Sequence, residues 1–362
     1  SPSWSAMADS GAPPSARTGH SACVLGDTTL WVFGGQQGGT TTTPAPTSRK
    51  FCRDLFALDI ETERWRQIPT RSNWPRGRTF HSATAISPTR FIMLHGYVGP
   101  AAESEYTDEA WMFKADASTW QPVRSQGTPP APRAGHTAVA TLDAIQRVWM
   151  FGGTDGDRCF NDLHCLDVAG TRWELVAARG AAPEARCYHA AGLACGQIVV
   201  FGGVESSSST VLASTHTFDV RSREWARAPD APDARSSSSA VACDEQLIVF
   251  GGRLPNPGKK KGSGPRVGTI MRYDAKRREW APAEEANAGA LGADDAAQVA
   301  RGGHAGGRVA GRMVIVGGYL GESKWTDRTL ALDLAPFTAP KEPPRKRARA
   351  PAAAAPAARA RG

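Results

Sequence analysis

Several features are scarce in this chain, and each scarcity narrows what it can be. Cysteine occurs seven times, at Cys23, Cys52, Cys159, Cys165, Cys187, Cys195 and Cys243, with no CxxC pair and no partnered His spacing. An odd, scattered set of this kind argues against a zinc site or a disulfide framework, and the sulfurs read as reduced thiols. No apolar run approaches the roughly eighteen residues that would cross a bilayer as a helix. The opening segment SPSWSAMADSG lacks a charged stretch followed by an apolar one, so no secretory signal is visible there. A soluble protein of the nucleus or cytoplasm, with no membrane partner, is the expectation. Because the chain opens on Ser, it also has the look of a fragment or a processed product. Sustained helical periodicity is absent from the body of the sequence as well.

What is abundant points one way. The 362 residues include 38 Gly, 26 Pro and 11 Trp, and 41% of them are hydrophobic, which suits a turn-rich globular β protein and excludes wholesale disorder. The formal charge of +8 suggests nucleic acid until it is located. Residues 341 to 362 carry seven Lys or Arg against one Glu, so the tail supplies six of those charges and the body is close to neutral.

Self-similarity organises the body. An apolar run ending in Gly-Gly appears as WVFGG at 31 to 35, WMFGG at 149 to 153, IVVFGG at 198 to 203, LIVFGG at 247 to 252 and VIVGG at 314 to 318. A degenerate copy, FIMLHG at 91 to 96, puts His95 at the first Gly position. Later in each unit an Asp precedes a Trp by six residues: Asp59 and Trp65, Asp167 and Trp173, Asp219 and Trp225, Asp274 and Trp280, with Lys114 replacing the acid before Trp120. From Trp to the next Arg is 13 residues in Trp4 to Arg17, Trp65 to Arg78, Trp120 to Arg133 and Trp173 to Arg186.

With these repeats the sequence resembles the kelch family over roughly residues 1 to 336. The resemblance implies an all-β, six-bladed β-propeller of four-stranded antiparallel blades, with strand a after the Arg, strand b ending at Gly-Gly, strand c ending at the Asp and strand d carrying the Trp. Short apolar runs bounded by Gly, Asp and Pro agree with that reading. The last copy, RTLALDLAPF, has Asp333 but no Trp six residues on, whereas Trp4 stands at a d-strand position with no blade before it. The N-terminal strand around Trp4 is therefore expected to complete blade six and to leave no open sheet edge. Residues 337 to 362 are expected to be a separate, disordered Pro/Ala/Arg-rich tail.

In such blades the b–c and d–a loops share one face, and nearly all the length variation falls there, including TTTTPAPT at 40 to 47 and KKK at 259 to 261. Variable loops on a fixed scaffold are the usual home of recognition. Six Arg at the strand-a entrances, Arg17, Arg78, Arg133, Arg186, Arg235 and Arg301, are expected to ring the channel mouth on that face. Kelch adaptors of ubiquitin ligases bind acidic peptides or C-terminal carboxylates with Arg at this position, and the resemblance implies the same for these six. The bland reading is that several only brace blades through carbonyls and through the Asp before strand d. His20, His81, His136, His189 and His304 follow their Arg by three residues. Repetition in five blades suits a core hydrogen-bonder better than a metal ligand or proton shuttle, and the Trp residues likewise read as packing between blades. Positions that break the symmetry are candidates for specificity: His95, Tyr97, Ser238, Arg253 and Tyr319.

The expected function is a protein-binding module, a scaffold or a substrate adaptor, monomeric, non-enzymatic and without cofactor or metal. No BTB or F-box segment is visible to support a ubiquitin-ligase role. A kelch-type lyase or oxidase is the alternative, yet neither a Tyr-Cys copper constellation nor an acid-rich iron motif is found. The cluster PPRKRARAP, with Arg345, Lys346, Arg347 and Arg349, suits importin and gives a weak nonspecific contact to nucleic acid. On it rests a third reading, a chromatin-associated factor.

Overall fold

Apolar five-residue runs stopped by Gly or Asp leave the chain little choice but short antiparallel strands, and a computed structural model arranges them in a repeating order. It describes residues 2–7, 10–38, 50–71, 73–99, 105–141, 146–206, 210–256 and 264–338. The stretches 40 to 47 and 259 to 261, and the cluster Arg345, Lys346, Arg347 and Arg349, lie outside the described residues.

The first sheet runs from strand a, Ser21–Leu25, through b, Thr29–Phe33, and c, Leu55–Asp59, to d, Arg64–Ile68, each antiparallel to the last. The same order recurs in Ser82–Ser87, Arg90–Leu94, Ala110–Lys114 and Thr119–Pro122. Blade three uses Thr137–Thr141, Arg147–Phe151, Leu163–Asp167 and Arg172–Leu175. Blade four uses Ala190–Ala194, Gln197–Phe201, Thr215–Asp219 and Glu224–Ala228. Blade five uses Ser239–Cys243, Gln246–Phe250, Thr269–Asp274 and Glu279–Trp280. The next sheet takes a to c from Ala305–Val309, Arg312–Val316 and Thr329–Asp333, and its fourth strand is Trp4–Ala6, with Trp4 opposite Leu332.

Strand b is buried along nearly its whole length, because each sheet is covered on both faces by its neighbours. Apolar clusters fill the gaps between successive sheets. One joins Phe33 and Leu55 to Phe91 and Met93, and another joins Val314 and Ala331 of the last sheet to Leu30 and Phe56 of the first. The d-strand Trp packs into the gap toward the preceding sheet: Trp65 lies beside Val314, and Trp4 meets Phe250 edge-on at 4.8 Å. The Asp that ends strand c has a local task. Asp219 accepts the backbone N–H groups of Arg221 and Ser222 at 2.9 and 2.8 Å, fastening the c–d turn, and Asp59 does the same for Thr62. Phe337, expected in the tail, is only 5% exposed and packs in the cluster that holds Trp4 and Leu334.

Candidate functional site

The six entrance Arg residues are almost wholly inside the molecule, at 0 to 1% exposure, which corrects the expectation of a guanidinium ring at a channel mouth. In each, Nη1 donates to the carbonyl at the first Gly position: Arg17 to Gly34, Arg78 to His95, Arg133 to Gly152, Arg186 to Gly202, Arg235 to Gly251 and Arg301 to Gly317, at 2.9 to 3.2 Å. The second Gly of the pair closes the link by donating its N–H to the next blade's Arg carbonyl, as Gly35 does to Arg78 and Gly318 to Arg17, both at 2.8 Å. Gly35 sits at φ +93°, and a Cβ there would lie 2.8 Å from the His20 Cβ, so the repeat needs glycine.

The acids that neutralise these Arg residues are not those before strand d. Asp54, Glu109 and Asp162 stand immediately before strand c and pair with Arg17, Arg78 and Arg133. In blades four and five Glu184 and Asp233, two residues ahead of their Arg, take over. Burial works against the Asp162 carboxylate, but hydrogen bonds from His164 and Arg133 outweigh it and hold its pKa well below the usual range. Arg301, with no acid in hydrogen-bond contact among the described residues, is pushed down to about 9 by burial.

Two residues past each Arg, the backbones of Gly19, Phe80, Gly135, Tyr188, Ser237 and Gly303 form a closed annulus. Phe80 N–H donates to Gly19, Gly135 to Phe80, Tyr188 to Gly135, Ser237 to Tyr188, Gly303 to Ser237 and Gly19 back to Gly303, at 2.7 to 2.9 Å. All six adopt positive φ, between 54° and 67°. The annulus and the residues that follow it line a cavity of about 160 Å³ on the axis.

The five repeated His residues line this cavity and couple the blades. His81, His136, His189 and His304 share Nε2 hydrogen bonds of 2.7 to 2.9 Å with Ser21, Ser82, Thr137 and Ser239, each on strand a of the preceding blade. His20 instead donates to Val316 O at 3.0 Å. Burial, helped by the neighbouring Arg charge, pushes His20 and His136 down to about 3, so the imidazoles are neutral at neutral pH. Ser238 replaces His where the preceding blade offers Ala190, which has no hydroxyl to meet it. His95, proposed for specificity, is instead buried between blades, 5.6 Å from the His136 ring.

Variation enters one step beyond the Gly pair. There the chain runs on into a short b–c hairpin that pairs with the strand-a entrance, as Tyr97 does with Thr79 and Tyr106. Equivalent cross-strand pairs are Gln36 with Phe51, Arg253 with Arg266, and Tyr319 with Trp325. Tyr97, Arg253 and Tyr319 therefore stand at equivalent hairpin positions on one face, while Ser238 lies below it on the cavity wall. Sequence reasoning missed their partners Tyr106, Arg266 and Trp325, and also Phe80 and Tyr188, whose rings meet edge-on at 5.0 Å over the annulus. The usable signal for the last two was already in RTFH and RCYH, where the other copies carry Gly or Ser.

Arg253 and Arg266 form the most unusual pair. Burial lowers the pKa of both; the ionisable neighbours of Arg253 are Tyr188 and Cys187, and those of Arg266 are Tyr319 and Arg253 itself. No carboxylate among the described residues offsets either cation. Arg266 stacks on the Tyr319 ring at 4.5 Å. Among the described residues no cluster of three or more His, Cys, Asp or Glu could hold a metal ion, and no helix is long and apolar enough to cross a membrane.

A family model described as the KLHDC2/KLHL20/DRC7 Kelch-repeats domain matches residues 1–145 and 45–252. The chain is 27% identical over 272 residues to acyl-CoA-binding domain-containing protein 5 of Arabidopsis thaliana, covering 71% of this chain and 39% of that one. It is 28% identical over 256 residues to kelch domain-containing protein 3 of Homo sapiens, covering 65% and 64% respectively. Similarity to the leucine-zipper-like transcriptional regulator 1 homolog of Drosophila melanogaster is 28% over 258 residues, 66% of this chain and 25% of the relative. The chain thus spans between 25% and 64% of the length of these relatives.

Proposed function

Since the chain belongs to the kelch-repeat family, we propose that it is a protein-binding module whose b–c hairpin face docks a partner through a carboxylate. One observation carries the reading: Arg253 and Arg266 are adjacent, partly desolvated cations with no acid beside them among the described residues. Two guanidiniums held this way repel each other, and an incoming carboxylate relieves that repulsion while accepting charge-assisted hydrogen bonds. Tyr319 on one side and Tyr188 on the other offer half-buried rings for the residues next to that carboxylate. The entrance Arg residues have no part in this reading; they are buried, and each donates Nη1 to a carbonyl of the scaffold.

The test uses immobilised full-length chain and fluorescent random peptide pools in three forms: free C-terminus, amidated C-terminus, and amidated with internal Asp and Glu. Retention of a carboxylate-bearing pool should fall at least tenfold in the Arg253→Ala, Arg266→Ala double variant, with the melting temperature unchanged. Preference for the free over the amidated pool assigns a C-terminal carboxylate, and preference for the third pool assigns acidic side chains. Equal retention of all pools, or of wild type and variant, overturns the reading.

A further inference from the structure

Cys159 and Cys187 are 28 residues apart in the chain, in different blades, yet their sulfurs lie 3.2 Å from each other. Cys159 belongs to the b–c hairpin of blade three, where it pairs with Thr154, and Cys187 to the entrance strand of blade four, opposite Val204. Both sulfurs also approach the Val204 carbonyl, at 3.7 and 3.8 Å, in a small apolar nest completed by Val211 and Tyr188. They are 9% and 5% exposed, so the nest lies just under the surface of the docking face.

We propose that Cys159 and Cys187 are a redox modification site that closes reversibly to a disulfide when the protein meets a peroxide, joining blade three to blade four. The sulfurs need approach by only about 1 Å to reach the bonded separation of about 2 Å. In the first step one thiolate attacks a peroxide oxygen; the S–O bond forms, the O–O bond breaks, and the departing hydroxide takes a proton to leave as water. In the second step the other thiol, losing its proton, attacks the sulfenic sulfur; the S–S bond forms, the S–O bond breaks and a second water leaves. Two thiols lose two electrons and one hydrogen peroxide becomes two waters.

Proximity of the two sulfurs selects this pair. Burial raises the pKa of Cys23, Cys52, Cys165 and Cys243 and penalises a thiolate in the nest as well, so it is the 3.2 Å sulfur separation that sets Cys159 and Cys187 apart. Cys195 is exposed but sits at the far end of blade four's strand a, away from the nest. The inference does not depend on the docking reading.

The experiment reduces the full-length chain, removes the reductant, titrates it with hydrogen peroxide, alkylates the remaining thiols in denaturant and maps the peptides. A cross-linked peptide pair containing Cys159 and Cys187 should accumulate first, at lower peroxide than any product at Cys23, Cys165 or Cys243, and dithiothreitol should reverse it. Cys159→Ser should abolish the cross-link and leave Cys187 as a sulfenic acid that a dimedone probe captures. Because the main readout uses the wild-type chain, a variant that fails to fold does not weaken it. Full alkylation of both cysteines after peroxide, or cross-links only between molecules through Cys195, overturns the proposal.

Discussion

Replacing Arg133 with alanine separates a bracing role from a ligand-binding one. The change removes hydrogen bonds to Ala131 O at 2.9 Å and Gly152 O at 3.1 Å, a two-pronged pair with Asp162 at 2.5 and 2.9 Å, and a stack on Phe160 at 3.9 Å. Losing one partner of a buried pair costs about 3–5 kcal/mol, because the other is left without compensation. Here Asp162 is 28% exposed and retains the His164 Nε2 contact at 3.1 Å, so water and His164 recover part of the loss. The lower end, about 3 kcal/mol, is therefore expected. At about 2–4 °C per kcal/mol for domains of 150–250 residues, and somewhat less for a longer chain, the melting temperature should fall by roughly 5–10 °C. Arg133→Lys keeps the charge but not the planar fork and should lose about half as much. Arg253→Ala, lacking any acid partner, should stay within about 0.5 kcal/mol of wild type. Urea unfolding followed by Trp fluorescence measures all three. If Arg133→Ala melts like wild type while peptide retention collapses, the bracing argument is wrong and the guanidinium faces a ligand.

Acid should weaken the propeller early: His20 and His136 have folded pKa values of about 3, against about 6.5 unfolded, so the unfolded chain takes up protons first. Stability is then full above pH about 6.5 and falls by up to about 1.4 kcal/mol per pH unit for each imidazole down to about 3, with Asp162 adding its own loss only below about 4. A urea midpoint unchanged between pH 7 and 5 would contradict this. Installing the missing inter-blade bond with Ala190→Ser and Ser238→His should show a favourable coupling of about 1 kcal/mol in a double-mutant cycle; zero coupling counts against the His–hydroxyl ladder. Trp4→Ala, at a site 1% exposed against Phe250, should cost about 3–5 kcal/mol and, by loosening the strand that covers Thr329–Asp333, promote association visible in light scattering. A monomer with wild-type stability would show that this strand does little.

The parts of the fold legible in sequence were those with fixed spacing. Gly-Gly, Asp and Trp recur because strand b, the c–d turn and the gap between sheets have one geometry wherever they occur. Trp4 and Asp333, the two halves of an incomplete unit, lie on strands that pair. The burial of the entrance Arg residues was less readable, because the neutralising acid changes place: before strand c for Arg17, two residues ahead for Arg235. An Arg at the end of a loop looks exposed when no partner stands at a constant distance. The His ladder was readable only as a correlation between blades, with Ala190 facing the one unit that lacks its His. Tyr106 and Arg266 escaped notice because they meet Tyr97 and Arg253 across hairpins of unequal length, where periodicity carries no register.

The annulus of backbone hydrogen bonds has a consequence for binding. Every N–H in it points the same way round, from Phe80 to Gly19 and onward until Gly19 reaches Gly303. The six hydrogen bonds run head to tail around the ring, each residue both donating and accepting. These six N–H groups are spent on one another and are not free to meet a ligand, unlike those at a helix terminus, which present a fixed sign. Hydrogen-bond donors for an approaching molecule must therefore come from side chains, and a single substitution on the rim can change them without disturbing the wheel beneath.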